Sequence, residues 1–354
     1  MGLSALCKQQ SLGTLEFMVS VDMYLNETTR HAHVILPPPT SLARAHYDLA
    51  LYQLAVHNVA HYSAPVLESG AGTVDEWKVF LRLAAILGGQ GAQAEVQLID
   101  DMSLGLLIRR EVATAGSRVE GRDPGELLAT LKQRHGPERM LDFLLRTGPY
   151  GDGFGAKEDG LSLAVLEAHL HGVDLGPLQP RIPEVLRTPS GIIELAPPII
   201  VADVERLRAS MEEPKEGATG QMLLIGRRDL RSNNSWMHNL YVLTKGKERC
   251  TLLVHPDDAA RLALCDGESA RVTSRAGSVK IPIEVTDAIM PGVVSIPHGW
   301  GHNLPGTQMR VAKEHAGVNA NILTVAENVD PLSGNAILNG VAVTVEKVAR
   351  QTEL

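Results

Sequence analysis

The chain has 354 residues, a length that predicts about two domains. Hydrophobic residues make up 44% of it and charged residues 21%, which excludes an intrinsically disordered chain. The net charge of −8 argues against nucleic acid or an anionic membrane surface as a partner.

The cysteines and the first residues bear on the cellular compartment. Cys7, Cys250 and Cys265 form no CxxC motif, so neither a disulfide framework nor a zinc site is expected. No apolar run is long enough to span a bilayer, and the first residues show neither a signal peptide nor a twin-arginine pair. We therefore expect a cytoplasmic protein with reduced thiols and no membrane span.

Two short apolar runs open the chain, at residues 15–21 and 33–36, with a polar turn at residues 26–30 between them. They predict adjacent strands of an α/β sheet. The prolines at 37–39 end the second run, because proline cannot donate to a strand ladder. A doubly wound domain needs several βα units, so we interpret this region as an incomplete one.

The middle of the chain predicts helices, a strand and a boundary. Residues 73–76, Thr-Val-Asp-Glu, match a capping box and predict an amphipathic helix that ends at Gly88 and Gly89. Residues 192–195 predict a strand, and the charged, Pro- and Gly-containing residues 212–217 mark the best domain boundary. The sequence thus predicts an incomplete α/β region over 1–200, a linker over 201–219 and a second domain over 220–354.

Short β-rich runs separated by turn residues follow the linker, a pattern that indicates a closed or sandwiched β-domain. A short helix at residues 259–264, opened by residues 255–258, interrupts them. The runs are residues 222–226, 251–254, 270–273, 279–285, 293–296 and 341–345.

The most informative segment is residues 224–239, where a strand ends at Gly226 and a loop rich in hydrogen-bond donors follows. Glycine lets a ligand approach the backbone, and arginine makes bidentate contacts with phosphate. Asparagine and serine offer directional hydrogen bonds to a heteroaromatic edge. This chemistry suits a phosphorylated, nitrogen-rich cofactor. The alternative is a polar surface loop whose Asn and Ser side chains bond to their own backbone.

Two further polar segments follow. In residues 297–303, His298 and His302 flank Trp300; their spacing suits a metal pair on a helix, but the intervening glycines argue against a helix. We expect either a loop that lays an aromatic ring and an imidazole on a ligand or a structural loop with a half-buried Trp. Asn319 and Asn321 either point to one side of an extended segment or stabilise a turn.

Taken in order, these motifs resemble one family. The strand-Gly-Arg…Asn-Ser segment is followed by His-Pro-Asp-Asp-Ala-Ala-Arg-Leu at 255–262, Pro-His-Gly-Trp-Gly at 297–301 and Asp-Pro-Leu-Ser-Gly at 330–334. This order resembles the C-terminal domain of the dimethyl-sulfoxide-reductase superfamily, in its formate-dehydrogenase-like branch. A shorter stretch at residues 21–37 is similar to the place where the family's nucleotide-binding domain ends.

The resemblance implies a fold and a cofactor. The fold is an incomplete α/β region followed by a mostly β double-psi barrel domain, and the cofactor is molybdopterin guanine dinucleotide carrying molybdenum or tungsten. By the resemblance, nine residues contact the cofactor without reacting, and none is catalytic or a metal ligand. They are Gly226, Arg227, Arg231, Ser232, Asn234, Ser235, His238, His298 and Asn319.

The family's N-terminal half carries the metal ligand and, in many members, an iron–sulfur motif, and we see no counterpart of it in this sequence. We therefore expect no iron–sulfur cluster in this chain, and no activity of the chain alone. The expected partners are a separate chain that supplies the missing half and, in the full enzyme, a small redox substrate. The rival interpretations are a non-catalytic module that completes cofactor binding beside a second polypeptide, and a structural remnant.

Overall fold

A computed structural model describes residues 11–70, 72–212 and 220–348. The strands are β1 (Val19–Val21), β2 (Val34–Leu36), β3 (His46–Tyr47), β4 (His57–Ala60), β5 (Tyr62–Ser63), β6 (Val173–Pro177), β7 (Gln221–Arg227), β8 (Leu252–Val254), β9 (Ser269–Thr273), β10 (Ser278–Val285), β11 (Val293–Pro297) and β12 (Val341–Lys347). The α-helices are Glu76–Leu87, Val96–Val112, Pro124–Thr130, Gly136–Thr147, Leu163–Ala168, Pro198–Ala202, Val204–Glu212, Tyr241–Thr244, Pro256–Arg261 and Arg310–Glu314. Single 3₁₀ turns lie at Thr29–His31, Ser41–Ala43, Tyr52–Leu54 and Ala320–Leu323.

The described residues form two compact units. One unit, called the barrel unit here, contains the described residues up to Leu36 and those from Ile192 onward. The other, called the helical unit, is Pro37–Gly191. The region boundaries at 200 and 220 stay a prediction, and most of the predicted boundary at 212–217 lies outside the described residues.

The barrel unit is built on the six strands predicted for the second domain. They close in the order β10–β8–β11–β7–β12–β9. Two of the pairings, β7 with β11 and β8 with β10, are parallel, and the others are antiparallel. Side chains alternate between buried and exposed along β7 and β12, as expected for strands with one face in a core. Closure leaves no unpaired edge in these strands, and the prediction of a closed β-domain is confirmed.

The first two strands belong to the same unit. β1 and β2 pair in parallel with Val19 opposite Val34, and the 3₁₀ turn at Thr29–His31 lies between them. The prediction of two adjacent strands joined by a turn is therefore confirmed.

The helical unit packs helices around two apolar clusters. Leu104, Ile108 and Phe143 lie at the centre of one cluster and are 1% exposed or less. Its strands form two small antiparallel sheets, β3 with β5 and β4 with β6. The capping box predicted at 73–76 is wrong in detail: the helix starts at Glu76, Asp75 is its N-cap, and the hydroxyl of Thr73 donates to the carbonyl of Gly70 instead.

The strand predicted at residues 192–195 is also wrong, because these residues form bends and irregular backbone. Leu195 is 91% exposed, so its side chain does not pack on a sheet face. A short apolar run does not fix its own secondary structure, since only a neighbouring strand or helix decides which state buries it. The helix Pro198–Ala202 begins shortly afterwards.

Candidate functional site

Parallel pairing brings two of the polar segments together. In the register of β7 with β11, Gly226 lies opposite Ile296 and Arg227 opposite Pro297. Parallel neighbours end at the same edge of a sheet, so the loops that follow the two strands leave the barrel side by side. We call residues 228–240 the first loop and residues 298–303 the second loop.

Glycines in the second loop allow close contact with the other segments. A Cβ atom on Gly299 would lie 1.9 Å from the carbonyl oxygen of Asn234, and one on Gly301 would lie 2.7 Å from the Cβ of Asn319. Both glycines have positive φ, at +92° and +109°. Only glycine meets both demands, so the sequence of the second loop is what lets the first loop and the Asn319 segment meet around it.

A buried chain of hydrogen bonds runs through the site. His238 Nε2 lies 2.6 Å from Ser232 Oγ, and its Nδ1 lies 2.8 Å from Nε2 of His302. His302 Nδ1 in turn lies 3.0 Å from Oε1 of Glu27, which comes from the turn between β1 and β2. Both imidazoles are 2% exposed, and Trp300 packs on His238 with its ring centroid 4.0 Å away. We call these four residues, Ser232, His238, His302 and Glu27, the histidine chain.

Burial and neighbouring groups set the charges in the histidine chain. Burial, assisted by the nearby His302, lowers the pKa of His238 to about 4, so its ring is neutral at neutral pH. Burial alone would raise the pKa of Glu27, but its hydrogen bonds, including the one from His302, and the positive charge of Arg30 outweigh burial and lower that pKa. Glu27 is therefore an ionised carboxylate at one end of a chain that is neutral at His238.

Arg227 has a structural position that the sequence did not indicate. It is the last residue of β7, and its guanidinium donates to the carbonyl of Ser295 at 2.6 Å and to the carbonyl and hydroxyl of Thr251 at 2.9 and 3.0 Å. Burial lowers the pKa of Arg227. The prediction that the strand ends at Gly226, with Arg227 in the loop, is wrong: Arg227 is part of β7, and its donors tie β7 to β8 and β11.

Several polar groups around the loops have no hydrogen-bond partner among the described residues. The guanidinium of Arg231 is exposed and, like the hydroxyl of Ser235, makes no hydrogen bond with any described residue. Nε1 of Trp300 is buried without a hydrogen-bond partner among the described residues, although Trp300 is only 5% exposed. Buried polar groups are nearly always satisfied, so this N–H is expected to bond to a water molecule or to a ligand.

The remaining predicted residues lie in the same cluster. Asn234 has φ +64°, and its side-chain oxygen is within hydrogen-bond distance of Arg228 and His298. His298 also contacts the carbonyl of Arg227, and Gly226 donates its N–H to the side chain of Asn339. Asn319 N-caps the turn Ala320–Leu323 and contacts the second loop through Gly301. The structure therefore brings all nine predicted residues to one end of the barrel or its adjoining loops, while their contact with a cofactor stays a prediction.

Glu27, His302 and Trp300 were not among the site residues predicted from the sequence. His302 was noticed only as half of a His-x₃-His pair, and the structure separates the two: His302 bonds to His238 and Glu27, whereas His298 bonds to Asn234 and Arg227.

Across residues 11–70, 72–212 and 220–348 no group of three or more His, Cys, Asp or Glu side chains is placed to hold a metal ion. No helix in those ranges has both the length and the apolar character needed to cross a bilayer.

The fold is that of a double-psi β-barrel with a donor-rich end, and comparison with known proteins agrees with this class of fold. The family model described as "Molydopterin dinucleotide binding domain" matches residues 222–342. A tetrathionate reductase from Salmonella typhimurium is 30% identical over 112 residues, which cover 27% of this chain and 11% of that protein. Dimethyl sulfoxide/trimethylamine N-oxide reductase of Cereibacter sphaeroides is 28% identical over 158 residues, which cover 40% of this chain and 18% of that protein.

The fold also resembles a solved structure. Acetylene hydratase from Pelobacter acetylenicus aligns with 98% of this chain and with 43% of its own chain, with a TM-score of 0.61 and 19% sequence identity. The chain thus spans less than half of that relative. The barrel region thus matches the molybdopterin dinucleotide-binding domain family over residues 222–342, and parts of the chain are similar to the two reductases.

Proposed function

We propose that this chain supplies the cofactor-binding part of a molybdopterin-dependent oxidoreductase and holds molybdopterin guanine dinucleotide. One observation carries the proposal: the family match over residues 222–342 includes both loops and the Asn319 segment, the same residues that the barrel gathers at one end. The orphaned Nε1 of Trp300 and the unpartnered guanidinium of Arg231 fit such a ligand, because a dinucleotide offers phosphate oxygens and ring acceptors.

Different residues bind different parts of the dinucleotide in this proposal. Arg231 meets a phosphate, since its guanidinium is exposed and has no partner among the described residues. Ser235 and Asn234 pair with the nitrogen-rich ring edge, and Trp300 donates its Nε1 hydrogen to an acceptor of the ligand. When bound, the metal–dithiolene group supplies two-electron redox chemistry, and this chain binds and orients it.

Catalysis belongs to the whole enzyme in this proposal. The matched relatives are reductases, and the matched stretches cover 11% and 18% of their lengths. We propose that this chain turns over no substrate unless a metal-ligating half, in a partner chain or elsewhere in its polypeptide, completes the site. The alternative role is a non-catalytic module beside such a partner. The choice of Mo or W, the absence of an iron–sulfur cluster, the formate-dehydrogenase-like branch and the cytoplasmic location stay predictions.

The test is cofactor content after production in a host that makes molybdopterin guanine dinucleotide. We expect the purified chain, alone or with its completing half, to carry pterin and GMP in equal amounts, measured as oxidised fluorescent pterin and as GMP released by acid hydrolysis. Formate, nitrate and sulfoxide assays of the chain alone are expected to show no turnover. Absence of both pterin and GMP from both preparations contradicts the binding role, and turnover by the chain alone contradicts the need for a completing half.

A further inference from the structure

We infer that Glu27 is a positioning residue: it fixes the tautomers of His302 and His238, and thereby commits the hydroxyl of Ser232 to donate to His238. This inference deepens the proposed function, and it rests on that function only for the identity of the ligand. Glu27 lies 275 residues from His302 in the sequence, so the contact depends on the fold of the barrel unit.

The turn that carries Glu27 is held in place independently of Glu27 itself. The side-chain oxygen of Asn26 accepts hydrogen bonds from the backbone N–H groups of Thr28 and Thr29, at 2.9 and 3.0 Å. The N–H of Gln308 donates to the carbonyl of Leu25 at 2.7 Å, and the guanidinium of Arg30 donates to the carbonyl of Pro305 at 2.8 Å. These bonds dock the turn on residues 305–308, so the carboxylate reaches His302 from a fixed backbone.

The hydrogen positions follow from the carboxylate. An ionised carboxylate only accepts, so Nδ1 of His302 must carry the hydrogen it shares with Glu27. When His302 carries only this hydrogen, its Nε2 is an acceptor, and Nδ1 of His238 donates to it. Nε2 of His238 is left as an acceptor, and the hydroxyl of Ser232 donates to it at 2.6 Å. A single anchored charge thus sets the direction of three successive hydrogen bonds.

Without that charge, the same heavy-atom positions permit the opposite direction. His302 then donates from Nε2 to His238, and His238 donates from Nε2 to Ser232. The hydroxyl hydrogen of Ser232 then turns to Oδ1 of Asp229, which lies 3.5 Å away. Ser232 lies in the first loop and is only 2% exposed, so the direction of the chain decides whether its hydroxyl hydrogen points at His238 or at Asp229.

The experiment reads the tautomers directly. In the full chain labelled with ¹⁵N-histidine, long-range ¹H–¹⁵N correlations at neutral pH distinguish Nδ1–H from Nε2–H rings. We expect Nδ1–H for both His302 and His238. His255 is an internal reference for the opposite tautomer, because its Nδ1 accepts from the backbone N–H of Asp257 at 3.1 Å. An Nε2–H or doubly protonated His238 in the unmodified chain overturns the inference, and this measurement requires no variant.

Two variants distinguish the effect of the carboxylate's charge from the effect of its shape. Glu27→Gln has nearly the same shape but no charge, and we expect His238 and His302 to shift partly or wholly to Nε2–H. Glu27→Asp keeps a carboxylate, and we expect it to restore the Nδ1–H form. Unchanged tautomers in Glu27→Gln, with the turn still folded, overturn the inference.

Cofactor content is a separate readout. If the proposed function holds, Glu27→Gln is expected to retain pterin about three- to tenfold less well than the unmodified chain, the effect of one hydrogen bond of reversed direction. Expected tautomers in a chain that binds no pterin support the inference and contradict only the proposed function. Pterin binding with His238 in the Nε2–H form contradicts the inference and supports the proposed function.

Discussion

The barrel unit and the helical unit both bury polar side chains, but they satisfy them differently. In the helical unit the buried Asp142 accepts from the guanidinium of Arg146 and from the backbone N–H of Leu163. In the barrel unit the buried imidazoles form a chain that is neutral at His238, beside a Trp300 N–H with no partner among the described residues. An open donor alone does not identify a ligand site, because Nε of Arg139 in the helical unit also has no partner among the described residues. The barrel differs in that its open donor, on Trp300, packs against His238 of the donor-rich first loop.

The largest expected effect lies in the helical unit. Asp142→Ala leaves Arg146 and the N–H of Leu163 without their partner in a buried site, so we expect a loss of about 3–5 kcal/mol in the free energy of unfolding. Denaturant unfolding followed by circular dichroism measures it. Asp159→Ala, at an exposed position, is the control and should change stability by less than about 0.5 kcal/mol. Equal effects of the two variants would mean that the bonds of Asp142 to Arg146 and Leu163 do not stabilise the fold.

The next effect tests the barrel core. Leu252 on β8 is fully buried, so Leu252→Ala should cost about 2–5 kcal/mol. Leu223 on β7 is 47% exposed on the outer face, and Leu223→Ala serves as the matched control with a much smaller cost.

We also expect a fragment of residues 220–354 to fold, because the six closing strands lie within it. A fragment without β-type circular dichroism, from a chain that folds when intact, would show that the barrel needs its first strands.

A smaller effect tests the contact between loops. Gly299→Ala places a methyl group where the carbonyl of Asn234 lies, so we expect it to destabilise the barrel unit by about 1–3 kcal/mol more than Gly334→Ala. Gly334 also has positive φ, at +69°, but has open space around its missing Cβ, so it isolates the backbone strain. Matching thermal midpoints for the two variants would contradict the close approach of the loops.

A further expected effect is a pH dependence from His238. Its pKa is about 4 in the folded chain and 6.5 ordinarily, so the unfolded chain binds more protons between these values. The contribution of His238 to the free energy of unfolding therefore falls as pH drops from about 6.5 to about 4. Comparing the denaturant midpoints of the unmodified chain and His238→Gln across this range isolates the contribution. A constant difference between them would mean that His238 is not buried as a neutral ring.

The local sequence pattern was enough to predict the barrel strands, because the alternation of apolar and polar residues and the turn residues that separate the strands lie close together in the sequence. It also located the polar loops, because their donors are clustered in sequence. It failed at residues 192–195, where the local pattern favoured a strand but the side chains stay exposed. It missed the role of Arg227 and the contact of Glu27 with His302, because each depends on partners brought together only by strand closure.

The most direct test of the binding site is cofactor retention in a double variant of the two unpartnered side chains. Arg231→Ala combined with Ser235→Ala removes groups that make no side-chain hydrogen bond with the described protein, so the thermal midpoint of the chain without cofactor should not change. Arg271→Ala, at an exposed position on β9, is the matched control. We predict that the double variant loses about tenfold or more in pterin and GMP content while the control keeps both. Full retention of pterin and GMP by the double variant would contradict the proposal that the first loop binds the cofactor.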